Sequence, residues 1–180
     1  MSDRGSASLR PMSVLSREEL RAALTGHPPL VEDVDAATQL QPNGIDLRAD
    51  RVQRLTSPAL LGVADAVREP AGREDVRTDD DGWWDLHQGP YVITYREKVN
   101  LPPHLTALVF PRSSLLRSGV TLYGAVWDAG YAGRGEGLLA VLNPRGYRLQ
   151  RGARVAQLLF FRLSSATVDG YAGRYQGENV

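Results

Sequence analysis

From Trp83 onward the chain is a succession of short, apolar, β-prone runs, each stopped by a turn. PYVITYREKV, LTALVFP, VTLYGAVWD, GLLAVLN and ARVAQLLFFRL are separated by NLPPH, RSG, a glycine-rich segment and PRGYRLQRG. Short strands at regular spacing predict an all-β barrel or sandwich of jelly-roll type. The length of 180 residues fits one domain able to bury a real core.

The first half departs from that pattern once. LSREELRAALTG reads as a short helix: Ser16 is placed as its cap, Glu19 completes a capping box, and Gly26 follows as a stop. QPNGIDLRADRVQRL begins with turn residues and then alternates as a strand does, whereas Ala64 to Asp81 is charged, without period, and reads as an exposed loop. The expected division is a loose tail over residues 1–12, a β domain over 13–168, and a tail over 169–180 that is mobile or folds over something.

Composition removes several function classes. The chain has no cysteine, which excludes disulfides, thiol nucleophiles and thiolate metal sites. Formal net charge is zero, so neither a nucleic acid nor a membrane is an expected partner. No apolar segment is long enough to span a bilayer, and MSDRGSASLRP is too polar for a signal peptide, so a cytoplasmic location is expected. His27, His87 and His104 are scattered among loop residues, without the spacing of a zinc site.

Four segments carry polar residues where chemistry is possible. AVWDAGYAGRGEG ends an apolar run in one acid, Asp128, and continues through glycines bearing Tyr131 and Glu136; no helix or Lys-Ser/Thr pair follows, so it is not a helical phosphate loop. FPRSSLLRSG gathers Arg112, Ser113, Ser114 and Arg117 at one corner, a density of donors that a polyphosphate requires. Taken alone, it reads more readily as a serine-rich helix cap with its arginines in solvent. QPNGIDL puts Asp46 inside an apolar strand, where a buried carboxylate needs a partner or a metal; an edge position facing water would also accommodate it. RGARVAQLLFF puts Gln157 beside a long apolar run, where its amide satisfies a neighbouring backbone or faces a ligand.

Together, and in this order, QPNGIDL, PRSSLLRSG, AVWDAGYAGRGEG, RGARVAQL and YAGRYQGEN resemble the motifs of the dUTPase and dCTP deaminase superfamily, and most closely its archaeal-type dUTP nucleotidohydrolases. The resemblance implies a mainly β protein, a distorted jelly-roll barrel with a short N-terminal helix, assembled as a homotrimer with active sites between subunits. It implies dUTP as substrate and Mg²⁺ as cofactor, with Asp46 helping to organise the metal through water. Arg112, Ser113, Ser114 and Gln157 then correspond to phosphate-binding positions, with Arg117 assisting catalysis beside them. Asp128 corresponds to the aspartate that orients and deprotonates the attacking water. Tyr131 corresponds to the aromatic residue packed on the deoxyribose, and Tyr171, Arg174, Tyr175 and Gln176 to the segment that closes over the nucleotide.

The short helix and the YQGEN tail belong to the deaminase branch of that superfamily, whose catalytic glutamate stands three residues before an asparagine. Anchoring on Asn143 places Ala140 there, and aligning without a gap from Gly133 places Leu138; neither can move a proton. Glu136 is the only acid nearby, displaced but of the same strand parity as Ala140, and so a candidate pocket residue. The expectation is hydrolysis of dUTP to dUMP and pyrophosphate. The alternatives are a dCTP deaminase, a bifunctional enzyme, or a deoxynucleotide-binding regulator without turnover.

Overall fold

The structure is a computed structural model describing residues 12–64 and 66–180. The expected N-terminal tail, residues 1–12, lies outside the described residues except for Met12. Six strands form the continuous path of an eight-stranded sheet, the other two being Leu40–Gln41 and Arg73–Asp75: β1 (Gly44–Leu55), β2 (Gly89–Tyr95), β3 (Leu105–Pro111), β4 (Val120–Tyr123), β5 (Glu136–Val141) and β6 (Arg154–Arg162). Their order is β4-β5-β2-β1-β6-β3, with every pairing antiparallel. The two outer strands, β4 and β3, approach one another, so the sheet nearly closes as a barrel. The mainly β, jelly-roll-like expectation holds.

Alternation along the strands explains where the core sits. In β5 the buried residues are Gly137, Leu139 and Val141, and in β2 Ile93 faces Gly137 across the pair. Ile45, Leu47, Leu158 and Phe160 from β1 and β6 are fully buried beside them. Helix α1 (Arg17–Ala23) begins as predicted. The Glu19 amide donates to Ser16 Oγ at 3.3 Å, and the Ser16 amide donates to Glu19 Oε2 at 2.8 Å. Its Leu20 is fully buried in the common core.

Beneath β1 lies a polar element that the hydrophobic pattern hides. Helix α2 (Ala36–Gln39) ends in Gln39, wholly buried, whose amide donates to the Asp46 carbonyl and to Glu97 Oε1, both at 2.8 Å. Glu97 is equally buried and accepts from the Arg48 Nε at 2.6 Å and from the Arg48 amide at 2.8 Å. A buried carboxylate with all its bonds made fixes backbone geometry, because losing any partner leaves a charge in a dry site.

Two expectations need correction. The segment from Ala64 to Asp81 is not simply a loop: Arg73–Asp75 pairs with Gln53–Leu55 of β1, and Arg68–Glu69 pairs with Leu60–Leu61. Arg73, Glu74 and Asp75 are all exposed, so no apolar period could reveal the strand. PRGYRLQRG, read as a separator, contains a strand too, since Tyr147–Gln150 pairs with Trp83–Leu86 and buries only Leu149 of its own four residues.

Candidate active site

The sequence-selected residues fall into two groups. The first surrounds Asp46. It sits on an inner strand, 2% exposed, which overturns the edge-position reading. Register places Gln157 opposite Asp46 and Phe110 opposite Gln157, so three strands carry one row toward Arg112. A register shift between Arg154 and Ala156 in β6 lets the strand bend. Arg154 Nη1 then reaches Asp46 Oδ2 at 3.2 Å, and Arg112 Nε reaches the same oxygen at 3.2 Å. Gln41 donates to it as well, at 3.3 Å. Oδ2 takes all three contacts, leaving Oδ1 for a further donor such as a water. Burial holds the Asp46 carboxyl above its ordinary acidity range, with Arg112 and Arg154 opposing that shift.

Helix α3 (Ser113–Leu116) starts immediately after Arg112, which occupies its cap position without a capping side-chain bond. Ser113 and Ser114 are therefore helical rather than capping, and both are exposed together with Arg117. Gln157 is half-buried and its amide makes no hydrogen bond among the described residues. The expected structural satisfaction of that amide is therefore not seen among the described residues.

The second group lines a cleft of about 200 Å³. Trp127 pairs with Ala107 of β3, and the chain then turns through Asp128, Ala129, Gly130 and Tyr131. The Tyr131 amide donates to the Asp128 carbonyl at 3.1 Å, and Gly130 has φ +89°, which a type II turn requires at its third position. The Asp128 side chain is exposed to the cleft and has no hydrogen-bond partner among the described residues. Tyr131 is 6% exposed, with its ring edge-on to Trp127 (5.3 Å, 85°) and to Tyr171 (5.8 Å, 65°).

The C-terminal segment covers this cleft through its own bonds. The Tyr171 amide donates to the Ala129 carbonyl at 2.8 Å, and the Gly177 amide to the Ala132 carbonyl at 2.8 Å. The Gln176 side chain donates to the Gly130 carbonyl at 3.0 Å and accepts from the Ala132 amide at 2.9 Å. The tail crosses Gly130 at Gly170, so closely that a Cβ on Gly130 would stand 2.8 Å from the Gly170 Cα. Tyr175 lines the cleft, whereas Arg174 is exposed and makes no side-chain bond among the described residues.

Sequence reading missed two residues here. Glu178 Oε1 accepts from the Tyr131 hydroxyl at 2.9 Å, and the Glu178 carboxyl lines the cleft beside Asp128 and Glu136. Burial raises its pKa; the Tyr131 bond and Arg73 oppose that, while Glu136 adds to it. Burial, with the Glu178 charge adding, raises the Tyr131 hydroxyl above the ordinary phenol range. The second is Arg73, whose Nη1 pairs with Glu136 Oε2 at 2.5 Å. Thr94 donates to Glu136 at 3.3 Å, Arg51 stands 3.8 Å away, and Asn179 donates from the tail at 3.4 Å. Glu136 does reach the pocket, but as a held anion. At the positions further along β5, Leu138 and Ala140, no proton-carrying side chain is present.

No hydrogen bond or ion pair joins the two groups among the described residues. Trp127 pairs with Ala107, and Arg112 lies five residues further along the chain, roughly 17 Å at strand rise.

Residues 14–163 match the family described as dCTP deaminase-like. A protein of Methanosarcina mazei named probable deoxyuridine 5'-triphosphate nucleotidohydrolase is 42% identical over 170 residues, covering 94% of this chain and 99% of that protein. One from Archaeoglobus fulgidus with the same name is 41% identical over 169 residues, with the same shares covered. Among solved structures, the 2'-deoxycytidine 5'-triphosphate deaminase of Agrobacterium tumefaciens shares the fold at a TM-score of 0.62 and 23% identity. That match covers 85% of this chain and 49% of that one, so the chain spans about half the deaminase chain's length.

Proposed function

This chain belongs to the dCTP deaminase-like family, and from that premise we propose that it hydrolyses dUTP to dUMP and pyrophosphate. The observation carrying the choice is the contrast between two carboxylates in one cleft. Asp128 is exposed and unpartnered among the described residues, whereas Glu136 is tied to Arg73 and Thr94. Ring deamination needs a group that gives and takes protons, and the β5 positions where the family carries one hold Leu138 and Ala140. Hydrolysis at phosphorus needs only one free base. The relatives at 41–42% identity bear the name of that hydrolase activity.

The residues act as follows. The triphosphate lies at the corner of Arg112, Ser113, Ser114 and Gln157, where guanidinium, hydroxyl and amide donors converge. Arg117, on the exposed side of α3, adds positive charge where it builds on the phosphates. The sugar packs on Tyr131, which leaves no space for a 2'-hydroxyl. Asp128 takes a proton from water as its oxygen bonds to the α-phosphorus. The bond from that phosphorus to the bridging oxygen breaks, and pyrophosphate leaves with the electron pair. Tyr171, Tyr175 and Gln176 close the cleft, and Arg174, exposed in the tail, is free to meet the phosphates.

Mg²⁺ fits the acceptor that Asp46 leaves open: with Oδ2 taken by two arginines, Oδ1 is suited to a metal-bound water rather than to the ion itself. When bound, the ion would neutralise phosphate charge.

The same reading includes a homotrimer, in which a second copy would bring its Asp128 cleft to the Arg112 corner. Tyr123 and Leu138 are direct register partners, both exposed, and Leu142 follows on the same parity; Phe110 and Leu116 are exposed near Arg112. Apolar side chains grouped in this way suit an interface between copies.

The test is turnover of dUTP and dCTP separately, with Mg²⁺, assaying pyrophosphate and ammonia. Pyrophosphate from dUTP without ammonia from dCTP supports the proposal. Ammonia from dCTP overturns it in favour of a deaminase.

A further inference from the structure

The tail contributes a carboxylate, Glu178 of the YAGRYQGEN motif, to which neither the sequence reading nor the phosphate chemistry above gives a role. Tyr131 is fixed on three sides: its amide is bonded to the Asp128 carbonyl, its carbonyl accepts from the Leu101 amide at 2.8 Å, and its ring is wedged between Trp127 and Tyr171. Only its hydroxyl end remains to set the tilt of the ring, and that end donates to Glu178. Glu178 is in turn held by backbone, since the Arg134 amide donates to its carbonyl at 3.0 Å and its own amide donates to the Tyr175 carbonyl at 3.2 Å.

We propose that Glu178 is a positioning residue: through the Tyr131 hydroxyl it sets the angle of the ring, and through the four-residue turn it sets the direction of the Asp128 carboxylate. The inference rests, for its kinetic arm, on the hydrolase reading. Docking of the tail is a separate matter. Gln176, Gly177, Tyr171 and Asn179 hold the segment without Glu178, Asn179 accepting from Arg51 Nη2 at 2.7 Å and donating to the Arg134 carbonyl at 3.0 Å.

Two measurements on the full chain test it. The first is a double-mutant cycle on dUTP turnover with Glu178→Ala and Tyr131→Phe, plus Glu178→Gln, whose amide oxygen keeps an acceptor. Small misplacement of a reacting group costs about 10- to 100-fold, so Glu178→Ala should lower kcat within that range. Glu178→Gln should restore most of the loss, and adding Glu178→Ala to Tyr131→Phe should cost no more than about 2-fold further, because the shared bond is already gone. The second needs no nucleotide: trypsin cleavage after the exposed Arg174 reports undocking of the tail, and Glu178→Ala should leave its rate unchanged. Faster cleavage in Glu178→Ala, or an equal loss of kcat with and without the Tyr131 hydroxyl, overturns the proposal and leaves Glu178 as a tail clasp. A wild-type protein that turns over no dUTP defeats the hydrolase reading; the cycle is then run on affinity for a non-hydrolysable dUTP analogue, where additive losses overturn the positioning role.

Discussion

The Asp46 corner and the Asp128 cleft solve opposite problems with the same residue type. At the corner, the acid is buried in an inner strand and its charge is met from two neighbouring directions by Arg112 and Arg154. The cost of burying it is built into the sheet, and the corner holds its shape before any ligand arrives. In the cleft, the acid stands on a turn at the surface, free of partners among the described residues, and the walls are aromatic rings held by the tail. A preformed anion-binding corner needs rigidity; a base needs an uncommitted lone pair. Stability and function should therefore be coupled at the first and separable at the second.

The strongest way to break that contrast is Asp128→Asn. Loss of the base should lower kcat for dUTP by about 10²- to 10⁴-fold, while the melting temperature stays at the wild-type value because the side chain supports nothing. A drop in melting temperature would mean that the cleft also carries structure. Next comes Arg112→Ala, which should weaken nucleotide affinity and the fold together. Arg112 is a third exposed and Arg154 remains, so the loss on chemical denaturation should fall below the ~3–5 kcal/mol typical when a fully buried pair is broken.

Asp46→Asn sharpens the comparison by sign. Folding raises the Asp46 pKa above its ordinary 3.8. Such a group favours the fold in its protonated form: that contribution is complete below the unfolded value and is lost as pH rises through the folded one. The permanently neutral amide should thus be as stable as wild type or more so near pH 7, with the gap closing on acidification, while affinity for the triphosphate falls. Thermal melts across that pH range check it, and a variant less stable at neutral pH would show the arginine pairs outweighing burial.

The smallest effect belongs to Tyr95, which packs beneath the cleft 6.2 Å from Trp127, fully buried, with a hydroxyl lacking any partner among the described residues. Removing an unsatisfied buried hydroxyl should leave stability unchanged or raise it by about 1 kcal/mol. Chemical denaturation of Tyr95→Phe reads this directly, and turnover should not move.

How much of this was legible in the sequence divides along the same line. The helix start was readable because Ser16 and Glu19 act over three residues, within the reach of a local rule. Five of the six main strands were readable as short β-prone runs stopped by turns, and β1 from its alternation. Asp46, Arg112 and Asp128 were visible as polar residues interrupting apolar runs, and their roles came from the order of motifs rather than from the residues alone. Arg154 and Glu178 fell within quoted motifs without a role, and Arg73 was not visible. Arg154 meets Asp46 only after a register shift, Arg73 sits on an edge strand of charged residues, and Glu178 depends on where a tail without apolar period comes down. Each is a contact across a long sequence separation, decided by packing, which no local pattern encodes.

The crossing of Gly130 by Gly170 bears on how variants of this protein should be interpreted. A random-mutagenesis screen for weakened turnover would return hits at both glycines, although neither has a side chain with which to touch a nucleotide. At Gly130 a substituent meets both an unfavourable φ and the passing backbone; at Gly170 it meets the Gly130 Cα at 3.2 Å and the Ala129 carbonyl oxygen at 3.5 Å. Such hits would report displaced chain rather than lost chemistry, and the two positions should rescue one another no better than chance.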